Sequence, residues 1–332
     1  MDDNMDLVIL LIVVFGLIFD YTNGFHDAAN VVSTVIATRV LTPLAAILIA
    51  GVLNFIGATQ ISGVAQTIAT GLVNPAGTTQ LVVLCAVSGA IVWNLFTWYY
   101  GIPSSSSYAL IGGLLGSSWV HKGTADILWD GVFNKVLIPM ILSPIIGFVV
   151  GLFLMKGLFF YLNQSSHSAD KKIFRHLQII SACFVALSHG LNDAQKSMGL
   201  ITLGLFAGGV IATPAIPLWV ILSCAVVMGL GTASGGFRII RTMGFSITKI
   251  TPVQGFAAEA SASAVILIAS FLGMPVSSTH VIAGGITGVV TAKGRSAVHW
   301  HVPRRLLLAW VFTLPGAGAV GGLAYWIGAS FI

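Results

Sequence analysis

HGLNDAQKSMG, residues 189–199, lies inside a long apolar stretch. It packs His189, Asn192, Asp193, Gln195 and Lys196 into eight positions. About 20 apolar residues suffice to carry a helix across a bilayer. A charge at the centre of such a span costs about 2.5–3.5 kcal/mol. Polarity placed there points to function.

The composition agrees with a membrane setting. The chain has 332 residues, 56% hydrophobic and 8% charged, with a mean hydropathy of +0.96. About a quarter of a soluble domain's residues are charged, so this inventory cannot cover a water-facing surface. The expected class is an all-α integral membrane protein. No ten-residue alternation suggests an outer-membrane barrel. The leader MDDNMDLVILLIVVFGLIF is acidic and lacks a basic region and a cleavage site, so it reads as a first span. Cys85, Cys183 and Cys224 are scattered through apolar segments, with neither a disulfide framework nor metal spacing. The net charge of +5 comes without any aromatic–basic module, which argues against nucleic acid.

About ten apolar segments follow: 6–24, 41–60, 80–100, 105–120, 131–161, 177–198, 216–235, 255–272, 276–291 and 306–329. The only sustained polar stretch, NQSSHSADKKIFRH at 163–176, divides the chain into a first repeat (1–162), a linker and a second repeat (177–332). With the N-terminus outside, Arg39, Lys156, Lys171, Lys172, Arg175, Arg238, Arg241, Lys249, Lys293, Arg295, Arg304 and Arg305 all face the cytoplasm, as does the linker. Trp93, Trp98, Tyr99 and Tyr100 read as an interfacial aromatic belt.

The halves resemble each other. NGFHDAAN (23–30) precedes GIPSSSSYALIGGLLG (101–116); HGLNDAQK (189–196) precedes GMPVSSTHVIAGGITG (273–288). Five crossings per half invert the second copy. Asp27 then falls near the inner end of the first span, and Asp193 near the outer end of the sixth. Inverted repeats with short Gly/Pro-interrupted segments at matching positions predict a secondary transporter with broken or re-entrant half-helices.

Each Ser-rich turn predicts a helix that starts inside the membrane. Pro103 suits a first helical position, and Ser105, Ser106, Ser107 and their counterparts Ser277, Ser278 and Thr279 follow as cap and first-turn residues. Unpaired N–H groups and the positive dipole end there make an anion cradle. Among the acids, Asp20, Asp27, Asp193 and Glu259 lie in apolar segments. Asp27 and Asp193 occupy equivalent repeat positions. Glu259 has no evident partner in the first half, and Asp20 borders an expected break in the first span.

Carboxylates repel an anion. The conflict resolves if positive charge arrives with the substrate, as a bound cation or as a proton on a carboxylate. Either route makes symport. A hard cation takes oxygens, and Asn30, Asn54, Gln66, Asn94, Asn192 and Gln254 are candidates to supply them. His26 and His189 border the Asp motifs and His280 follows SST, but their spacing does not suit zinc, so no metal site or cofactor is expected. His26 is a candidate proton relay. Lys196 either pairs with Asp193 or faces the anion. The Gly-rich runs 111–116, 283–288 and 316–322 fit close helix contact. A hydrolase would need G-x-S-x-G, which is absent, so an enzyme is not expected.

NGFHDAANVVSTVIATR, WNLFTWYYGIPSSSSYALIGG, ALSHGLNDAQKSMGL, TPVQGFAAEASA and GMPVSSTHVIAGG together resemble the inorganic phosphate transporter family over nearly the whole chain, and within it the bacterial low-affinity transporters. The resemblance implies phosphate uptake across a bacterial inner membrane and a homodimer. It places the substrate and coupling-ion site at Asp27, Asn30, Ser105–Ser107, Asn192, Asp193 and Ser277–Thr279. His26 replaces the family's usual Asn, which resembles its proton-coupled branch carrying metal–phosphate complexes. The coupling ion stays open between H+ and Na+, with Asp27, Asp193, Glu259 and His26 as its candidates. Sulfate permeation and an anion channel are the rival readings.

Overall fold

The computed structural model describes residues 3–102, 104–164, 169–235 and 250–331. Pro103, the middle of the polar linker, and the basic residues Arg238, Arg241 and Lys249 lie outside them. Among the described residues the chain is helical, apart from loops and one isolated bridge between Val73 and Ile127. The helices are α1 (Asp3–Ala37), α2 (Pro43–Ala58), α3 (Gly63–Thr70), α4 (Gln80–Tyr99) and α5 (Ser106–Lys122). Next come α6 (129–164) and α7 (Ala169–Ala207). The last four are α8 (Leu218–Ser234), α9 (Pro252–Phe271), α10 (Ser278–Thr291) and α11 (His301–Ala329).

Every expected apolar segment falls on a helix. Among the described residues five stretches are long and apolar enough to cross a membrane: Leu7–Ala37, Gln80–Tyr99, Trp129–Leu162, Pro252–Phe271 and Leu306–Ala329. The bent pair α2–α3, with a 66° turn between its arms, makes a sixth. Helices α5 and α10 have 17 and 14 residues, about 26 Å and 21 Å at the helical rise, short of the hydrocarbon thickness. A ring of exposed Leu44, Phe153, Phe160, Phe271, Leu308 and Phe312 gives the apolar outer surface a bilayer requires.

Several expectations change here. No break interrupts α1 near Asp20, and the helix runs ten residues past Asp27 to Ala37. Asp193 likewise sits inside the 39-residue α7. The polar stretch at 163–176 is helical on both sides, because α6 reaches Gln164 and α7 begins at Ala169. Of the expected belt, Tyr99 and Tyr100 are exposed. Trp98 instead stacks edge-on against Phe25 at 5.4 Å, and Trp93 lies against Gly316.

The packing is reciprocal. Helix α5 lies along α11, and α10 lies along α6; α1 packs on α8 as α7 packs on α2. Bare backbone makes these seams. A Cβ on Gly112 would overlap the Leu314 carbonyl, and one on Gly284 the Pro144 carbonyl. Gly116 meets Gly318 as Gly288 meets Phe148. The same relation joins α2 to α7, where Gly57 abuts the Leu187 carbonyl and Gly190 abuts Asn54.

The two turns before α5 and α10 repeat bond for bond. Gly101 (φ 64°) and Gly273 (φ 67°) both take the left-handed conformation that glycine allows. Ile102 N donates to Thr97 O at 2.9 Å, and Met274 N to Ala269 O at 2.8 Å. Ser104 N donates to Ile102 O at 2.8 Å, and Val276 N to Met274 O at 2.9 Å. The N-caps are Ser105, accepting from Tyr108 N at 3.2 Å, and Ser277, accepting from His280 N at 3.4 Å. All these pairs are separated by 172 residues.

Two predictions test this frame by thermal unfolding in detergent. Ser105→Ala and Ser277→Ala each lose about 1 kcal/mol, whereas the Gly variants lose a few tenths. Gly190→Val overpacks the α2–α7 crossing at about 1–3 kcal/mol and lowers Tm. Gly157→Ala, where nothing lies within 4 Å, does not lower Tm.

Candidate functional site

Helix α1 carries a polar face at three- and four-residue steps: Asp20, Asn23, Asp27, Asn30 and Thr34. Such steps line one side of a helix. Helix α7 answers with His189, Asn192, Asp193, Lys196 and Ser197. Nearly all are fully buried, with Asp27 and Asn30 at 2% exposure and Asp193 and Lys196 at 0%. The two carboxylates meet: ligating atoms of Asp27, His189 and Asp193 lie within 4.8 Å of one another. At that separation two unit charges repel by about 3–4 kcal/mol in a medium of effective dielectric near 20. Positive charge must therefore be close.

On the α7 side it comes from Lys196. The ammonium donates to Asp193 Oδ1, to Ser107 Oγ and, at 3.0 Å, to the Val276 carbonyl. Lys196 thus pairs with Asp193. His189 adds a contact from Nε2 to Asp193 Oδ2 at 3.1 Å, and its Nδ1 lies 3.1 Å from Asn54 Oδ1. On the α1 side, His26 Nδ1 is 2.8 Å from Asp27 Oδ1. Thr279 donates to Asp27 Oδ1 at 3.4 Å and accepts from Asn30 Nδ2 at 2.7 Å.

The Ser/Thr triplets divide their labour identically. The first members, Ser105 and Ser277, cap α5 and α10. The second members, Ser106 and Ser278, hold buried hydroxyls without a hydrogen-bond partner among the described residues. The third members reach across the repeat boundary: Ser107 donates to Asp193 at 3.3 Å and Thr279 to Asp27. Two helix starts, with amides no preceding turn satisfies, therefore converge on two acids. Asn192 is drawn off: its Nδ2 donates to Ser270 Oγ at 2.8 Å and to Met274 O at 3.2 Å, securing the turn before α10.

Glu259 sits in a second buried cluster. It accepts from Thr34 at 2.5 Å, from Gln178 at 3.1 Å and from Ser181. Thr34 is the first-half partner that sequence inspection missed; its place two turns after Asp27 was the available signal. Gln178 and Ser181 carried none. Also missed were Thr97 and Ser104: Thr97 Oγ1 lies 3.3 Å from His26 Nε2 and accepts from Ser104 at 2.8 Å. Asp20 accepts from Ser197 at 2.7 Å. Of the other amides, Asn94 is buried with no partner for its side chain. Gln66 is exposed and donates to Thr70, and Gln254 closes a capping box with Thr251, so neither belongs to the site. His280 stacks on Trp310 with centroids 3.9 Å apart.

Comparisons with known proteins identify the family. A sequence model of the Phosphate transporter family matches residues 23–321. A probable low-affinity inorganic phosphate transporter of Bacillus subtilis (strain 168) is 43% identical over 328 residues, covering 98% of both chains. One from Mycobacterium tuberculosis (strain ATCC 25618 / H37Rv) is 45% identical, covering 97% of this chain and 78% of its own. A solved structure titled the sodium-dependent phosphate transporter superposes with a TM-score of 0.85 at 26% identity, covering 98% of this chain and all of that one. With its matched helices, paired acids and paired Ser/Thr starts, the chain belongs to the phosphate transporter family.

Proposed function

We propose that this membrane transporter is a secondary-active symporter that imports inorganic phosphate with protons or sodium ions. The observation that carries the reading is the reciprocal bonding of Ser107 to Asp193 and of Thr279 to Asp27. It brings two anion-seeking helix starts against two buried acids. Phosphate binds to the first-turn amides and the free hydroxyls of Ser106 and Ser278, with Ser105 and Ser277 holding the caps. Asn30 and Asn192 position Thr279 and the α10 turn. Asp27 and Asp193 admit the anion only with compensating positive charge, and that conditional binding is the coupling. His26, bridging Asp27 and Thr97, relays a proton; Glu259 is a further coupling group on the α1–α7–α9 side.

Residues 1–162 and 177–332 act as inverted repeats joined by a cytoplasmic linker, with the N-terminus outside a bacterial inner membrane. The matched turns at 101–105 and 273–277 support the repeat, and the inward bias of Lys and Arg supports the orientation. The site then alternates access by rocking of one bundle on the other.

Labelled phosphate uptake into proteoliposomes, driven in turn by proton and sodium gradients, tests the proposal with sulfate as competitor. Asp27→Asn and Asp193→Asn are expected to cut gradient-driven uptake by at least about tenfold, a loss of about 1.4 kcal/mol, while both proteins elute as folded species. Wild-type uptake in both variants would remove the coupling assignment. Full inhibition by sulfate without phosphate accumulation would replace the substrate. Absence of counterflow would make the protein a channel.

A further inference from the structure

The acidic motifs are repeat mates, yet they differ at the position one turn on. Asp27 is followed at its third residue by Asn30; Asp193 is followed by Lys196. The surroundings match. Ser107 and Thr279, 172 residues apart, each bond the acid of the opposite motif. Val276, whose carbonyl accepts from Lys196, is the mate of Ser104, and both sit in the same turn geometry.

The oxygens around Lys196 Nζ are a carboxylate, a hydroxyl and a backbone carbonyl. An ammonium has three N–H groups and no acceptor, so this set satisfies it fully. The same three oxygen types are what a hard cation takes. On the other side the corresponding groups are the Asp27 carboxylate, the Thr279 hydroxyl and the turn at Ser104. Among the described residues no Lys or Arg bonds Asp27, whose ionisable partner is His26 at 2.8 Å. Instead Asn30 turns its Nδ2 to Thr279 and leaves Oδ1 buried and unpartnered. That atom is a further buried oxygen, on the side chain at the repeat position of Lys196.

We propose that the ammonium of Lys196 is a resident cation filling one of two repeat-related cation positions, and that the mobile coupling cation binds at the other, formed by Asp27, Asn30 Oδ1, Thr279 and the Ser104 turn. The protein therefore carries one fewer mobile cation per anion than a symmetric pair of sites would. The tethered charge neutralises Asp193 in every state of the cycle, and only Asp27 varies its counter-charge. The idea rests on the symport reading for its consequence, but its geometry is independent of the anion carried.

The test counts sodium on the intact purified protein, in detergent and without phosphate, by equilibrium binding of radioactive sodium with choline as the control salt. Lys196→Asn, which copies the first motif into the second, is expected to bind one sodium ion per chain more than wild type. The double variant Lys196→Asn with Asp193→Asn is expected to lose that increment. The reverse swap, Asn30→Lys, tethers an ammonium beside Asp27 and is expected to bind no sodium. An unchanged count in folded Lys196→Asn overturns the proposal, including the case in which Asp193 merely takes a proton. Sodium retained by Asn30→Lys overturns it as well. Failure of wild type to accumulate phosphate in proteoliposomes would strike the transport reading alone and leave the sodium count standing.

Discussion

Two carboxylates brought within 4.8 Å of each other in a water-poor interior are the constraint around which the molecule is arranged. Neither helix that carries them would hold that charge stably alone in a bilayer. Each acid is held by groups from the other half of the chain: Thr279 for Asp27, and Ser107 for Asp193. The half-helices α5 and α10 are therefore fixed twice, by glycine seams along their length and by acids at their starts. Removing an acid would take one bond from a first-turn hydroxyl as well as the charge from the site.

The charge balance explains why an anion and acidic residues share one place. One acid is matched within the protein by Lys196. The other has His26 and hydroxyl and amide partners beside it, with His189 also within 4.8 Å. Any anion entering beside it adds repulsion of several kcal/mol at protein-like dielectric, so a cation or proton must enter too. In the proposed symport, coupling rests on electrostatics at the paired acids.

Much of this was legible in the sequence because the site is made twice. The Gly-x-Pro turns with their serines and the Asp motifs, repeated half a chain apart, mark the cap residues and the central acids. The glycine runs likewise announced close helix contact. What stayed hidden depends on partners brought from elsewhere in the chain. Glu259 has no local pattern that names Thr34, Gln178 and Ser181, and Thr97 looks like any helix-facing threonine until His26 lies beside it. The unbroken α1 was misjudged for a related reason. Polar residues at 20–30 read as an interruption, whereas the backbone ladder of α1 runs through them unbroken.

The glycine seams limit how the protein can change shape. Where Gly112 and Gly116 touch α11, and Gly284 and Gly288 touch α6, main chain lies on main chain with no rotamers to rearrange. Such joints cannot absorb motion by side-chain adjustment. Each half-helix and its long companion must travel as a single girder. Any freedom for relative motion then lies where these seams are absent, between those girders and the α1–α7 pair.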